Sequence, residues 1–225
     1  MSVQKVSAAG TSIWLDDLSR AKITSTEAHA LPARIKNSGV VGVTTNPSIF
    51  SAAISGAAEY AADIAAMKSA PVDEVVKKLT TDDVRQACEL FTSLYQATHG
   101  VDGRVSIEVD PRLAHDTEGT IAAGKELWSI IDRPNVMIKV PATLEGLPAI
   151  TALIAAGISV NVTLIFSVKR YGQVIEAYMK GIEQCEDPTQ VHSVASFFIS
   201  RIDSSIDALL KKNASPEAAA LLGKA

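Results

Sequence analysis

The chain has 225 residues, of which 47% are hydrophobic and 20% are charged, and this balance excludes a chain that is disordered throughout. Its 21 basic and 25 acidic residues leave a net charge of -4, and no basic run is longer than two residues, so nucleic acid is not expected as a partner. The two cysteines, Cys88 and Cys185, are too far apart to indicate a disulfide framework or a zinc site.

Neither the first residues of the chain nor its longest apolar stretch predicts a membrane segment. The first ten residues, MSVQKVSAAG, lack the apolar core of a signal peptide. The longest apolar stretch, 149–166, is interrupted by Gly157, Asn161 and Thr163, so it does not resemble a membrane-spanning helix. We therefore expect no membrane partner and a cytoplasmic location.

Short apolar runs alternate with longer helical patterns along the whole chain. The predicted strands cover 12–17, 40–46, 104–110, 135–141, 159–166 and 191–198. Helices are expected between them, with amino-terminal caps near Asp82, at Asp116 or Thr117, and at Ser167, and a further helix is expected to begin in the alanine-rich tail. Strands that alternate with helices predict repeated βαβ units and a parallel sheet.

The expected fold is therefore α/β, of the (β/α)8 TIM-barrel type, but only six strand–helix units are found. A barrel of this kind uses roughly 250 residues for eight units. We expect residues 1–225 to form a single barrel domain that lacks the last two units, with residues 48–103 as a helical insertion within it. Such an open sheet would expose two edges.

Polar residues recur near the carboxyl ends of the predicted strands. In a parallel barrel these ends meet at one mouth, where active sites lie, and an apolar residue would be cheaper to bury there. The set comprises Asp16, Asn46, Glu108, Lys139, Asn161, Thr163 and Ser196. Six strands that all carry such a residue predict a ring of convergent polar groups.

Lys139 is the most informative member, because it lies inside a strand between Ile138 and Val140. Lysine is rarely buried unless it is paired or functional. Burial disfavours the charged ammonium and makes the neutral amine available as a nucleophile, which is what Schiff-base chemistry on a ketone or aldehyde requires. The alternative is a lysine at an exposed strand end or in a structural ion pair.

Glu108 and Asp16 would supply the carboxylates for such chemistry. A Schiff-base aldolase needs proton transfers to form and break the carbinolamine, and a base for the substrate hydroxyl as the carbon–carbon bond breaks. The alternative is that both carboxylates pair with Lys139 or with other cations in structural ion pairs.

Six segments in chain order carry a resemblance to a known family. They are WLDDLSR, GVTTNPSIF, VSIEVDPRLAHDT, NVMIKVPAT, GISVNVTLIF and SFFISRID. Together they resemble transaldolases of the pentose phosphate pathway, in the form common among actinobacteria, from about residue 10 to the end. The resemblance implies a class I aldolase on a (β/α)8 barrel, which needs no metal or other cofactor. Such an enzyme moves a dihydroxyacetone unit from sedoheptulose 7-phosphate or fructose 6-phosphate to an aldose phosphate.

The resemblance also implies roles for individual residues. Lys139 would form the Schiff base, Asp16 would act on the C4 hydroxyl, and Glu108 with Thr163 would hold the water that shuttles protons. The residues expected to bind the sugar phosphate are Thr44, Asn46, Asn161, Ser196, Phe198 and Arg201. Of these, Ser196 and Arg201 would lie at the phosphate end, where a guanidinium matches phosphate oxygens.

The chain departs from this pattern at its carboxyl end. Transaldolases of this form continue beyond the point where it stops, so it resembles a truncated member. A compact subfamily of fructose-6-phosphate aldolases has its lysine much earlier, and Lys139 comes too late for that form. Two alternatives therefore stand beside transfer: a Schiff-base aldolase that releases free product, and an inactive fragment, or one that works only in a homo-oligomer covering the open edges.

Overall fold

A computed structural model describes residues 3–213 and 215–224, and six β-strands run through this part of the chain. They are β1 (Ile13–Asp16), β2 (Val40–Thr44), β3 (Arg104–Glu108), β4 (Val136–Pro141), β5 (Val160–Ile165) and β6 (Ser193–Phe197). The six predicted strands are confirmed, each shortened by no more than two residues at either end.

Helices connect the strands and cover the sheet. They are α1 (Val3–Ala8), α2 (Arg20–Thr24), α3 (Leu31–Ser38), α4 (Pro47–Ile54), α5 (Ala61–Ala66), α6 (Val72–Ala97), α7 (Thr117–Ile131), α8 (Gly146–Ala155), α9 (Val168–Gln184), α10 (Ile199–Asn213) and α11 (Pro216–Ala220). Short 3₁₀ helices occur at Ala58–Tyr60, Pro111–Leu113 and Pro188–Gln190. In the described ranges, no helix combines the length and the apolar composition that crossing a membrane requires.

The strands form one parallel sheet whose spatial order, β1 to β6, is their order in the chain. Because every connection returns the chain to the same end of the next strand, the sheet curls in one direction, as in a (β/α) barrel. The described residues thus form a partial barrel of six units, with β1 and β6 as its edge strands.

The core lies on both faces of the three central strands. All six residues of β4 are buried, as are the first four residues of β3 and five of the six residues of β5. Helices α6, α7 and α8 pack against this part of the sheet, and α9 packs on α8. Strands covered on both faces are nearly continuously apolar, so a buried charged residue within them is exceptional.

One predicted helix start is wrong. The sequence placed a cap near Asp82, but α6 runs unbroken from Val72 to Ala97 and Asp82 lies in its middle. Its carboxylate pairs with Lys78 and Arg85 on the same helix face, so the charge pattern belongs to a helix interior. The other caps are confirmed: Asp116 accepts a hydrogen bond from the backbone of Gly119 (2.9 Å), and Ser167 caps α9. The expected helix in the tail is α11.

Candidate active site

Lys139 lies on β4 and is only 4% exposed. Its ammonium nitrogen donates a hydrogen bond to the carbonyl oxygen of Thr45 (3.0 Å) and lies 3.2 Å from Oε2 of Glu108. Glu108 ends the neighbouring strand β3, and Thr45 follows β2, one strand further along the sheet. The structure therefore surrounds one buried amine with a carboxylate and a carbonyl oxygen.

Glu108 is directly opposite Lys139 in the register of β3 and β4. Burial raises the pKa of the Glu108 carboxyl above its usual range, although the ammonium of Lys139 opposes that rise. The negative charge of Asp16 contributes to the increase, so the three groups share one electrostatic environment. A carboxyl with a raised pKa in a buried site is a candidate for general acid–base catalysis.

A chain of hydrogen bonds crosses the sheet beside Lys139. Asn161, on β5, pairs with Lys139 in the strand register and donates from Nδ2 to the hydroxyl of Ser106 on β3 (3.0 Å). The hydroxyl of Ser196, on β6, donates to Oδ1 of Asn161 (2.9 Å). These bonds hold the Asn161 amide in one orientation, with its oxygen toward the β6 edge.

Two hydroxyl groups on β2 and β5 are buried without a hydrogen-bond partner among the described residues. They are Oγ1 of Thr44, on β2, and Oγ1 of Thr163, on β5. The residue after Thr163, Leu164, has a φ of 60°, and the pairing of β5 with β6 is irregular there. A buried, unsatisfied hydroxyl needs an explanation, and in this position a bound water or ligand oxygen would supply the missing partner.

Asp16 and Asn46 line a cleft of about 480 Å³ at the carboxyl ends of β1 and β2. Asp16 is exposed, whereas Asn46 is half-buried and caps α4, because its Oδ1 accepts from the backbone of Ile49 (3.0 Å). The other polar side chains around the cleft are Asp17, Ser19, Lys22, Ser48, Glu59 and Tyr60. Lys139 and Glu108 are not among the residues that line this cleft, but the charge of Asp16 acts on the Glu108 carboxyl.

Phe198 and Arg201 follow β6 at the edge of the sheet. The Arg201 guanidinium lies over the Phe198 ring, 4.3 Å from its centroid, and that ring stacks on Phe166 at 5.4 Å. Arg201 is exposed and is close enough to influence the Glu108 carboxyl. The charge of Arg201 therefore acts on the same carboxyl that contacts Lys139.

The structure brings the predicted polar residues together at one end of the sheet, but it divides them. Lys139 and Glu108 form one group with Thr45. A second group consists of Asn161 and Ser196, which share a hydrogen bond. Asp16 and Asn46 line the cleft. Within the described ranges, no cluster of three or more His, Cys, Asp and Glu residues is arranged to hold a metal ion.

Sequence reasoning missed two members of this site, Thr45 and Ser106. Both are fully buried, and the Thr45 hydroxyl donates to the carbonyl oxygen of Ser106 (2.7 Å). Ser106 could have been found, because it lies two residues before Glu108 and so faces the same side of β3. Thr45 follows the end of β2 and contributes its backbone oxygen, for which no residue pattern is a signal.

Comparison with known proteins relates the chain to one family. Residues 13–223 match the family model described as transaldolase/fructose-6-phosphate aldolase. A protein named transaldolase from Mycolicibacterium smegmatis is 57% identical over 98% of this chain, and transaldolase 1 from Streptomyces avermitilis is 55% identical over the whole chain. A transaldolase from Mycobacterium leprae is 56% identical over 98%. The chain spans about 60% of the length of each of these relatives.

Proposed function

This chain belongs to the transaldolase/fructose-6-phosphate aldolase family, and on that premise we propose that it carries the Schiff-base machinery of a transaldolase. The proposed reaction moves a dihydroxyacetone unit from a ketose phosphate, such as fructose 6-phosphate or sedoheptulose 7-phosphate, to an aldose phosphate. The observation that carries the proposal is the buried amine of Lys139, 3.2 Å from the Glu108 carboxyl.

The chemistry begins with attack of the neutral Lys139 amine on the C2 carbonyl of the ketose. The carbinolamine loses water to give a Schiff base, and Glu108, with a water held by Thr163, moves the protons that this step needs. The raised pKa of Glu108 suits the task, because the group must alternate between its two protonation states. The unpartnered hydroxyl of Thr163 is free to bind that water.

The carbon–carbon bond breaks in the second half of the reaction. Asp16 takes the proton of the C4 hydroxyl, the C3–C4 bond electrons move into the protonated Schiff base, and an aldose phosphate leaves. The enamine that remains then attacks the aldehyde carbon of the acceptor, Asp16 returns the proton, and hydrolysis frees Lys139. Every proton and electron pair is accounted for without a metal or an oxidant.

Other polar residues would hold the sugar phosphate. Asn161 and Asn46 are assigned to the hydroxyls of the dihydroxyacetone unit, with Thr44 lining the same site. Ser196 and Arg201 are assigned to the phosphate group, and Phe198 supports the Arg201 guanidinium. We also propose that the partners are sugar phosphates and that the chain acts in the cytoplasm.

The test is reduction with borohydride in the presence of fructose 6-phosphate, followed by peptide mapping. We expect a stable adduct on Lys139, and none in Lys139→Met, which keeps the length of the side chain without the amine. Lys77→Met is the matched control, since Lys77 is an exposed lysine paired with Glu126, and it should give the adduct at the unsubstituted level.

Product analysis then separates transfer from release. Addition of an aldose phosphate acceptor should yield a new ketose phosphate, whereas an aldolase would release free dihydroxyacetone whether or not the acceptor is present. Folded protein that forms no adduct on Lys139 contradicts the proposal and favours a fragment without the activity, or one that requires a homo-oligomer.

A further inference from the structure

Three side chains that are far apart in the sequence form a buried network behind the cleft. Asp83, on α6, has no solvent exposure, and its carboxylate accepts hydrogen bonds from the Tyr60 hydroxyl (2.6 Å) and from Nε of Arg20 (3.0 Å). The Arg20 guanidinium also lies over the Tyr60 ring, with Cζ 4.6 Å from the centroid. The network therefore joins α6, the 3₁₀ helix at Ala58–Tyr60 and the first residue of α2.

Several directional contacts hold the Arg20 guanidinium in this network. Arg20 reaches the carbonyl oxygen of Glu59 (3.2 Å) and the carboxylate of Asp63, so its guanidinium is held from several directions. A buried ion pair adds little net stability compared with apolar residues of similar volume, because desolvation offsets the attraction. Directional, charge-assisted bonds do fix the relative position of the elements they join.

The same network determines where the chain runs after β1. The Tyr60 hydroxyl accepts a hydrogen bond from the backbone nitrogen of Arg20 (2.9 Å), and Arg20 is only four residues beyond Asp16. Tyr60 and Asp16 also line the same cleft. The short segment that carries Asp16 is therefore anchored at its far end by Tyr60 and, through it, by Asp83.

We propose that Tyr60 and Asp83 are positioning residues that hold the Asp16 carboxylate where it can take the proton of the C4 hydroxyl. This inference rests on the proposed function. Lys139 and Glu108 lie on β4 and β3, inner strands that pair with a neighbour on both sides, whereas Asp16 is the last residue of the edge strand β1 and pairs only with Thr44 on β2. Loosening the network should displace Asp16 and leave the Schiff-base pair in place.

The two halves of the reaction can be separated by the mass of the trapped adduct. Borohydride reduction before bond cleavage leaves the six-carbon sugar phosphate on Lys139, whereas reduction after cleavage leaves the three-carbon dihydroxyacetone unit. In Tyr60→Phe we expect the total adduct to stay within about twofold of the unsubstituted level. The ratio of six-carbon to three-carbon adduct should rise at least tenfold, since a small misplacement of a reacting group can slow its step by about a hundredfold.

The matched control is Tyr95→Phe. Tyr95 lies on α6, as Asp83 does, but its ring contacts Arg104 at the first residue of β3, at the opposite end of the strands. The Tyr95→Phe variant also loses a tyrosine hydroxyl, and its adduct ratio should equal that of the unsubstituted protein. A second variant, Asp83→Asn, keeps an oxygen for the Tyr60 hydroxyl and removes the charge that pairs with Arg20, and we expect it to raise the ratio in the same direction.

The possible results distinguish a failure of this inference from a failure of the proposed function. An unchanged adduct ratio in folded Tyr60→Phe overturns this inference and leaves the proposed function intact. Equal loss of both adducts also overturns it, because that result indicates a general structural role. If Tyr60→Phe does not fold, the ratio in Asp83→Asn decides in its place. A complete lack of adduct on the unsubstituted protein overturns the proposed function, and the inference falls with it.

Discussion

The ammonium nitrogen of Lys139 lies 3.2 Å from Oε2 of Glu108, and the two residues are direct neighbours in the register of β3 and β4. Strand pairing thus places a buried amine and a buried carboxyl in contact without any contribution from a loop. The sheet itself therefore holds the Glu108 carboxyl, whose pKa is raised by its burial, against the Lys139 amine.

The first prediction concerns Glu108→Gln, which keeps the shape of the side chain and removes its ability to transfer a proton. General acid–base catalysis contributes about 10²- to 10⁴-fold to a rate. We therefore expect borohydride trapping with fructose 6-phosphate to slow by about that factor while the protein remains folded by circular dichroism. Glu126→Gln, an exposed carboxylate paired with Lys77, is the control and should trap normally. A Glu108→Gln rate within twofold of the unsubstituted rate would contradict the proposed role.

A second prediction compares two glycines with nearly the same positive φ angle. Gly103 and Gly157 have φ angles of 78° and 80°, but a Cβ on Gly103 would lie 2.7 Å from the backbone nitrogen of Tyr95, whereas nothing lies within 4 Å of one on Gly157. Gly157→Ala should lose only the roughly 1–2 kcal/mol of the left-handed conformation. Gly103→Ala must also move backbone, and we expect a loss of about 3 kcal/mol or more.

Urea unfolding of both alanine variants checks this difference. The midpoint of Gly103→Ala should fall well below that of Gly157→Ala at an unchanged slope. Equal midpoints would mean that the loop before β3 can shift away from α6 at little cost.

The two cysteines should differ sharply in reactivity. Cys88 is fully buried on α6, and burial raises the pKa of its thiol far above the usual range, so little thiolate is available. Cys185, at the end of α9, is half-buried. A chromogenic disulfide reagent at neutral pH should therefore label one thiol in native protein and the second only after denaturation. Cys185→Ser should abolish the fast phase, and a fast phase that survives this substitution would show that Cys88 is accessible.

The lowered pKa of His192 predicts how the free energy of unfolding changes with pH. Burial, followed by the charge of Arg104, lowers the pKa of the His192 imidazole, whereas in the unfolded chain it titrates near its ordinary value of about 6.5. Below that value the unfolded state binds the proton more readily than the folded state does. The free energy of unfolding must therefore fall as the pH falls from about 6.5 toward the lowered pKa of the folded state.

Thermal melts of His192→Gln test this sign. Between about pH 7.5 and 5.5 the melting temperature of the unsubstituted protein should fall more than that of the variant, because the variant lacks the proton-linked term. His29→Gln, at an exposed position, is the control and should keep the full pH dependence. Parallel curves for His192→Gln and the unsubstituted protein would assign the pH dependence to other groups.

Much of the architecture was open to prediction because its causes are local. Alternation of apolar strands with helical patterns is a short-range property, and it located all six strands to within two residues at either end. Side-chain caps at Asp116 and Ser167 were found for the same reason. The helix start near Asp82 was wrong because an acidic residue before an apolar run resembles a cap, while ion pairs within α6 make it a helix-interior residue.

The residue pattern alone predicts, from the period of two in a strand, that Lys139, Glu108 and Asn161 each share a face of the sheet with their neighbours two residues away. Which of these side chains touch depends on the folded sheet, because register and curl set the distances between strands that are tens of residues apart in the chain. The contact of Lys139 with the Thr45 carbonyl oxygen, and the network of Arg20, Tyr60 and Asp83, depend on such distances. Hydrogen bonds act over about 3 Å, and no pattern along the chain encodes a separation of that size between distant residues.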